Sequence, residues 1–210
     1  MESVTFFVYS FVSILTIVNP IGGLITFVSL TSGMSEGRRK EIATRSVVIA
    51  CLIAVVFAVS GELILRFFGI TVDALRVAGG VLLFVVALNM VFGKSSPEGV
   101  TDEEVEDASK KEDISVFPIA MPLLTGPGTI TTVIVLIRSG KTLGLKVLDI
   151  LAILAVFVLT YIIFRFSNRI IKVLGVTGSL LVSRIMGLLL ASIAVNFITV
   201  GIWNLYKTMS

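Results

Sequence analysis

This 210-residue chain has no histidine, a single cysteine at position 51, and charged side chains at only 15% of its positions. Those shortages exclude an internal disulfide, a dithiol relay, a Cys/His zinc site and His-ligated haem, so no metal or cofactor is expected. No Gly-x-x-x-x-Gly-Lys-Ser/Thr loop occurs, which speaks against an ATP-driven pump. Nor can a nucleophile be matched with a base, so the chain is not expected to be an enzyme.

What the chain has in abundance is apolar surface. Hydrophobic residues make up 56% and the mean hydropathy is +1.05, beyond the balance of a soluble domain. Uncharged runs cover 3–35, 46–61, 77–93, 114–137, 150–164 and 185–206. A spanning helix needs roughly 20 apolar residues, so the pattern predicts an all-α integral membrane protein with six transmembrane helices. The second span is extended through Glu62 and the fifth back past Asp149, because charges near helix ends reach the interface. Met1 and Glu2 lead into the first span without a basic segment or a small-residue cleavage site, and that span is expected to be retained.

Eight of the 14 acidic residues fall between Lys94 and Ile114. Six spans place the loops 36–45, 94–113 and 165–184 on one face. That face carries eleven Lys and Arg against six on the other. The positive-inside rule then makes it cytoplasmic and puts both termini outside a plasma (inner) membrane. A lipid bilayer is thus an expected partner, and nucleic acid is not.

The chain also resembles itself. Phe68-Gly69-Ile70-Thr71 recurs as Leu174-Gly175-Val176-Thr177, and the segment 76–80 recurs at 184–188, pairing Gly79 with Gly187. Asn89 and Asn196 follow in each copy, Pro20 aligns with Pro127, and a Ser-Gly pair recurs at 32–33 and 139–140. The offset stays near 107 residues. An odd number of spans per unit requires the second copy to insert upside down, giving two inverted three-helix repeats, 1–93 and 114–210, joined by an acidic cytoplasmic linker at 94–113.

Each repeat opens on a span rich in helix breakers. Residues 3–35 as one straight helix would measure about 50 Å against a hydrocarbon core of about 30 Å. Pro20 disfavours helix at Asn19, while Gly22 and Gly23 each cost about 1 kcal/mol relative to Ala. In the second copy Pro118 and Pro122 introduce kinks and Thr125-Gly126-Pro127-Gly128 is a stronger breaker. The first and fourth helices are therefore expected to be discontinuous, with new half-helices opening after Gly23 and at Thr129. Unwound backbone at membrane depth must line a cavity or be buried by protein. Half-helix N-termini suit a carboxylate and the facing carbonyls suit an ammonium group, together a zwitterion. Thr26, Thr125, Thr129, Thr131 and Thr132 surround the breaks, and no charged side chain lies near them in sequence.

Competing readings accompany each candidate. The breaks can be kinks that only shape helix packing, but their duplication points to a transporter site. Asn89 and Asn196 are second-tier site residues or interhelical hydrogen-bond partners. Arg76 and Arg184 are interface anchors or gate partners. Glu62 with Arg66 and Glu41 with Arg45 have the spacing of ordinary helical ion pairs. Glu62 and Asp149 alone approach the membrane as possible proton carriers, and neither has a mate in the other repeat. Gly79, Gly80 and Gly187 are close-packing positions.

The Asn19-Pro20-Ile21-Gly22-Gly23 stretch, the Thr125 to Thr129 stretch and six spans in this length resemble the MarC/SnatA family over essentially the whole chain. The resemblance implies a transporter of small neutral amino acids such as glycine and alanine, driven by an ion gradient, with protons the expected ion. It also implies a substrate site lined by Asn19, Pro20, Ile21, Gly22 and Gly23 together with Gly126, Pro127, Gly128 and Thr129. Direction is left open, as some relatives look like exporters. The alternative class is a passive pore or a non-transporting membrane scaffold.

Overall fold

The computed structural model describes residues 3–93 and 114–209. The acidic linker expected at 94–113 lies outside them. All regular elements among the described residues are helical: α1 (Ser3–Val18), α2 (Pro20–Leu30), α3 (Glu36–Phe67), α4 (Val72–Phe92), α5 (Ser115–Leu124), α6 (Pro127–Ser139), α7 (Leu143–Arg165) and α8 (Ser167–Met209). Five segments are long and apolar enough to cross a membrane, and six if α5 and α6, bent by 57°, count as one.

Local sequence sets most of the boundaries. Ser35, Thr71 and Thr142 cap α3, α4 and α7 by accepting from the N–H groups of Arg38, Ala74 and Leu145. Glu36 opens the first turn of α3 and Arg66 closes its last, as the helix dipole favours. Gly93 ends α4 with φ 68, a left-handed C-cap. These caps carry the helices beyond the uncharged runs. The largest departure is at 165–184, read from the sequence as a loop. Helix resumes at Ser167 and bends at Gly175, where φ is 66. The intervening charges do not end it because they sit on a helix already clear of the apolar run.

The spans alternate in direction. On one face the end of α3 meets the end of α6 through Glu62 and Arg138 at 3.1 Å. There too the start of α4 meets α6 through Arg76 and Ser139 at 3.2 Å, and α8 through Asp73 and Asn204 at 2.9 Å. On the opposite face Arg39 of α3 donates to the Thr31 carbonyl at 3.1 Å and bonds Asn168. The Glu62–Arg66 and Glu41–Arg45 pairs both form, at 2.6 and 3.9 Å.

Lipid-facing surface and packed interior separate cleanly. Val4, Leu52, Val59, Leu63, Val81 and Val158 are exposed, while Leu24, Phe27, Ile42, Leu124, Phe157 and Phe164 are fully buried among α2, α3, α5 and α7. Phe27 and Phe164 stack with centroids 4.5 Å apart. Water-driven burial does not hold helices together in hydrocarbon, so close approach at small residues matters more. A Cβ on Gly80 would lie 3.0 Å from the Ala194 carbonyl oxygen and 2.7 Å from Ile198 Cγ1. One on Gly187 would lie 3.1 Å from the Ala87 carbonyl oxygen and 3.1 Å from Val91 Cγ2. Gly80 thus packs on α8 in the same way that Gly187 packs on α4. Gly79 faces the Thr131 side chain instead.

Candidate functional site

The first break is a single residue. Asn19 adopts φ 43 and ψ 61, the left-handed region that Asn tolerates better than most residues, and its side chain accepts from the Gly22 N–H at 3.2 Å. Its Nδ2 donates to Ser183 Oγ of α8 at 3.1 Å. Backbone bonds run on either side, from Asn19 N to the Leu15 carbonyl and from Gly23 N to the Asn19 carbonyl, each 2.9 Å. The half-helix expected after Gly23 thus begins at Pro20, four residues earlier. Proline is favoured at a first helical position, and the two glycines are helical. Gly22 is glycine for room, since a Cβ there would collide with the Asn19 amide.

The second break is larger. Within α5 the backbone is extended at Phe117 and Met121, and the bonds preceding Pro118 and Pro122 are cis. Helix α6 then opens at Pro127 rather than Thr129, for the same reason as α2 opens at Pro20. The surrounding hydroxyls bond to backbone: Thr125 to the Ala50 carbonyl at 3.0 Å, Thr129 to Leu124 at 3.2 Å and Thr132 to Gly128 at 2.8 Å. Gly126 at the N-cap supplies no side-chain acceptor. The two half-helices therefore differ: Asn19 caps α2, whereas α6 presents its first N–H groups without a side-chain cap.

Tertiary packing brings the breaks together. A Cβ on Gly128 would lie 3.0 Å from Ile17 Cδ1 and 3.0 Å from Leu83 Cδ2, and one on Gly23 would lie 3.9 Å from Leu123. Segment 17–23 thus passes segment 123–128 side by side and antiparallel. Gly23, Thr125, Gly126, Gly128, Thr129 and Thr132 are buried there, with Ile21 and Gly22 half-buried. Thr26 is half-buried one turn along α2.

Other candidates sit elsewhere. Asn89 and Asn196 are exposed, because the faces of α4 and α8 that meet are taken by Gly80, Ala87, Gly187 and Ala194. Arg76 is drawn to Asp73 and Ser139 at one end of the bundle, and Arg184 lies beside Gly93 at the other. A cleft of about 430 Å³ opens beside Arg76, lined also by Glu62, Asp73, Arg138 and Asn204. On the opposite face one of about 290 Å³ is lined by Glu36, Arg39, Lys40 and Arg165. Two polar contacts were not foreseen. Ser183 gave no signal, since its role depends on α8 crossing α2. Asp149, a lone acid inside an apolar helix, did give one, and it bonds Ser10 of α1.

Comparison with known proteins places the chain. The model of the MarC family of integral membrane proteins matches residues 4–206. A UPF0056 membrane protein of Aquifex aeolicus is 41% identical over 201 residues, covering 96% of this chain and 94% of its own. The UPF0056 membrane protein YvbG of Bacillus subtilis is 36% identical over 207 residues, 98% of each chain. No solved structure matches the sequence.

Proposed function

This chain belongs to the MarC family of integral membrane proteins, and we propose that it is a secondary carrier of small neutral amino acids such as glycine, alanine and serine, working by alternating access and coupled to protons. The observation that carries this reading is the antiparallel meeting of two interrupted spans, 17–23 and 123–128, one of which leaves a helix N-terminus uncapped. The substrate carboxylate would sit against the first N–H groups of α6, at Gly128 and Thr129. Its ammonium group would turn to the end of α1, where Pro20 has no N–H to give the Thr16 carbonyl. Gly22 and Gly128 already meet close neighbours, so a substrate that enters between the two segments would have to be small.

Several features support an inverted repeat as the moving framework. Gly80 meets Ala194 and Ile198 as Gly187 meets Ala87 and Val91, and every one of those partners is related by 107 residues. Repeats so related can exchange conformations around a site between them. The clefts on opposite faces are the places where access would alternate, with Arg76 at the mouth of one. By the charge bias the termini lie outside.

One observation favours the scaffold reading. The hydroxyls of Thr125, Thr129 and Thr132 are all taken by backbone carbonyls, as they would be if the breaks only shaped packing. Labelled glycine offered to sealed proteoliposomes, with an inward proton gradient or with glycine preloaded inside, separates the two. Saturable uptake raised by preloading is the expected result. Flux that never saturates would indicate a pore, and no flux for glycine, alanine or serine would leave the scaffold.

A further inference from the structure

Asp149 is the only charged side chain among the described residues that is fully buried, at 1% exposure. It lies six residues into α7, about 9 Å along that helix at 1.5 Å per residue, within a segment apolar enough to span. Ser10 of α1, itself fully buried, donates to Asp149 Oδ1 at 2.5 Å. Oδ2 is buried and has no hydrogen-bond partner among the described residues. Intramembrane acids are rare because a carboxylate at that depth needs a counter-charge, and they mark ion and proton pathways when they occur.

The neighbouring elements offer no such counter-charge. Helices α1 and α2 carry no charged residue, and the titratable side chain of α1 is Tyr9, adjacent in sequence to Ser10. On this face of the bundle Glu62 of α3 pairs with Arg66 and with Arg138 of α6, while Asp73 of α4 pairs with Arg76. Lys146 is one turn away on α7 itself and half-buried, and no ion pair joins it to Asp149 among the described residues. Ser13 and Thr16 continue the buried face of α1 from Ser10 toward Asn19.

We propose that Asp149, fixed by Ser10, is the residue that takes up and returns the coupled proton. The Ser10 hydroxyl holds Oδ1, and the proton forms its O–H bond at Oδ2, leaving water behind when it comes from hydronium; release to water on the other side reverses the step. The site bridges α1, which ends at the Asn19 break, to α7 of the other repeat. Occupancy of Oδ2 and the packing of the first break thus share one helix. This inference rests on the carrier reading and adds its coupling residue.

The test pairs transport with spectroscopy on the full chain in lipid. In proteoliposomes Asp149→Asn should keep glycine counterflow and lose stimulation by an inward proton gradient, and Asp149→Glu should retain both. Ser10→Ala should weaken the gradient effect without abolishing counterflow. Independently of any substrate, infrared difference spectra should show the carbonyl stretch of a protonated carboxyl in the wild type, titrating away as pH is raised and missing in Asp149→Asn. Full gradient stimulation in Asp149→Asn, or a band unchanged by that substitution, would overturn the proposal. A wild type that moves no glycine would sink the carrier reading instead, and the infrared result would then decide by itself whether Asp149 binds a proton. If Asp149→Asn does not insert, a shift of the same band in Ser10→Ala supports the assignment and an unshifted band overturns it.

Discussion

Asn19 at the start of α2 donates its side-chain amide to Ser183 Oγ on α8 at 3.1 Å, tying the first break to a helix 164 residues further along the chain. The same side chain caps α2 through the Gly22 N–H, and its backbone is left-handed at φ 43. Three roles can therefore be separated by substitution. Asn19→Ala loses all of them and should destabilise the protein by about 1–2 kcal/mol. Asn19→Gly keeps the backbone geometry and should cost about half as much. Ser183→Ala removes one hydrogen bond, worth about 1 kcal/mol. Thermal unfolding of purified protein in detergent ranks the three, and equal losses for Asn19→Ala and Asn19→Gly would show that the left-handed backbone is unimportant.

The paired contacts of α4 and α8 make a symmetry prediction. Gly80→Ala and Gly187→Ala each push a methyl group onto a carbonyl oxygen of the facing helix. Both should cost about 1–3 kcal/mol, the usual range for overpacking. If one is silent while the other unfolds the protein, the two contacts are not equivalent.

The uncapped start of α6 gives a prediction of opposite sign for stability and binding. Gly126 has φ −79 and ψ 179, a conformation open to any residue. Gly126→Ser supplies a capping oxygen and should stabilise α6 by about 0.5–1 kcal/mol. The same oxygen would occupy the N–H groups assigned to the substrate carboxylate, so glycine affinity in a counterflow assay should fall. Unchanged affinity would move the carboxylate seat elsewhere.

The side chains of Asn89 and Asn196 are exposed. Leucine at either position should leave glycine counterflow at the wild-type level and shift stability by no more than about 0.5 kcal/mol. A lost counterflow signal in a folded Asn196→Leu protein would return that residue to the site.

Topology can be checked with the native thiol removed by Cys51→Ala. Gly37 and Gly144 lie near the first residues of α3 and α7, and a Cβ at Gly37 would meet nothing within 4 Å. A membrane-impermeant maleimide should label Gly144→Cys from outside intact cells and Gly37→Cys only after lysis. Labelling of both from outside would contradict the alternating spans.

Much of this was written in the chain itself. Hydropathy marks the spans, five or six among the described residues, because a bilayer has one thickness and a helix one rise per residue. Proline and glycine mark the breaks because their backbone chemistry is local, and Ser35, Thr71 and Thr142 mark caps for the same reason. Other features had no local cause. The start of α2 at Pro20 rather than after Gly23 depends on Asn19 turning left-handed and finding Ser183, a partner that the order of residues does not reveal. Likewise Gly80 rather than Gly79 packs on α8 as Gly187 packs on α4, because helix rotation, set by how α4 lies against both α8 and α6, decides which small residue meets which carbonyl. Asn89 and Asn196 looked equivalent to a buried pair in one dimension and proved outward-facing in three. Asp149 was visible as an acid in an apolar run, but only packing showed that α1 covers it, that Ser10 holds one of its oxygens, and that the other has no hydrogen-bond partner among the described residues.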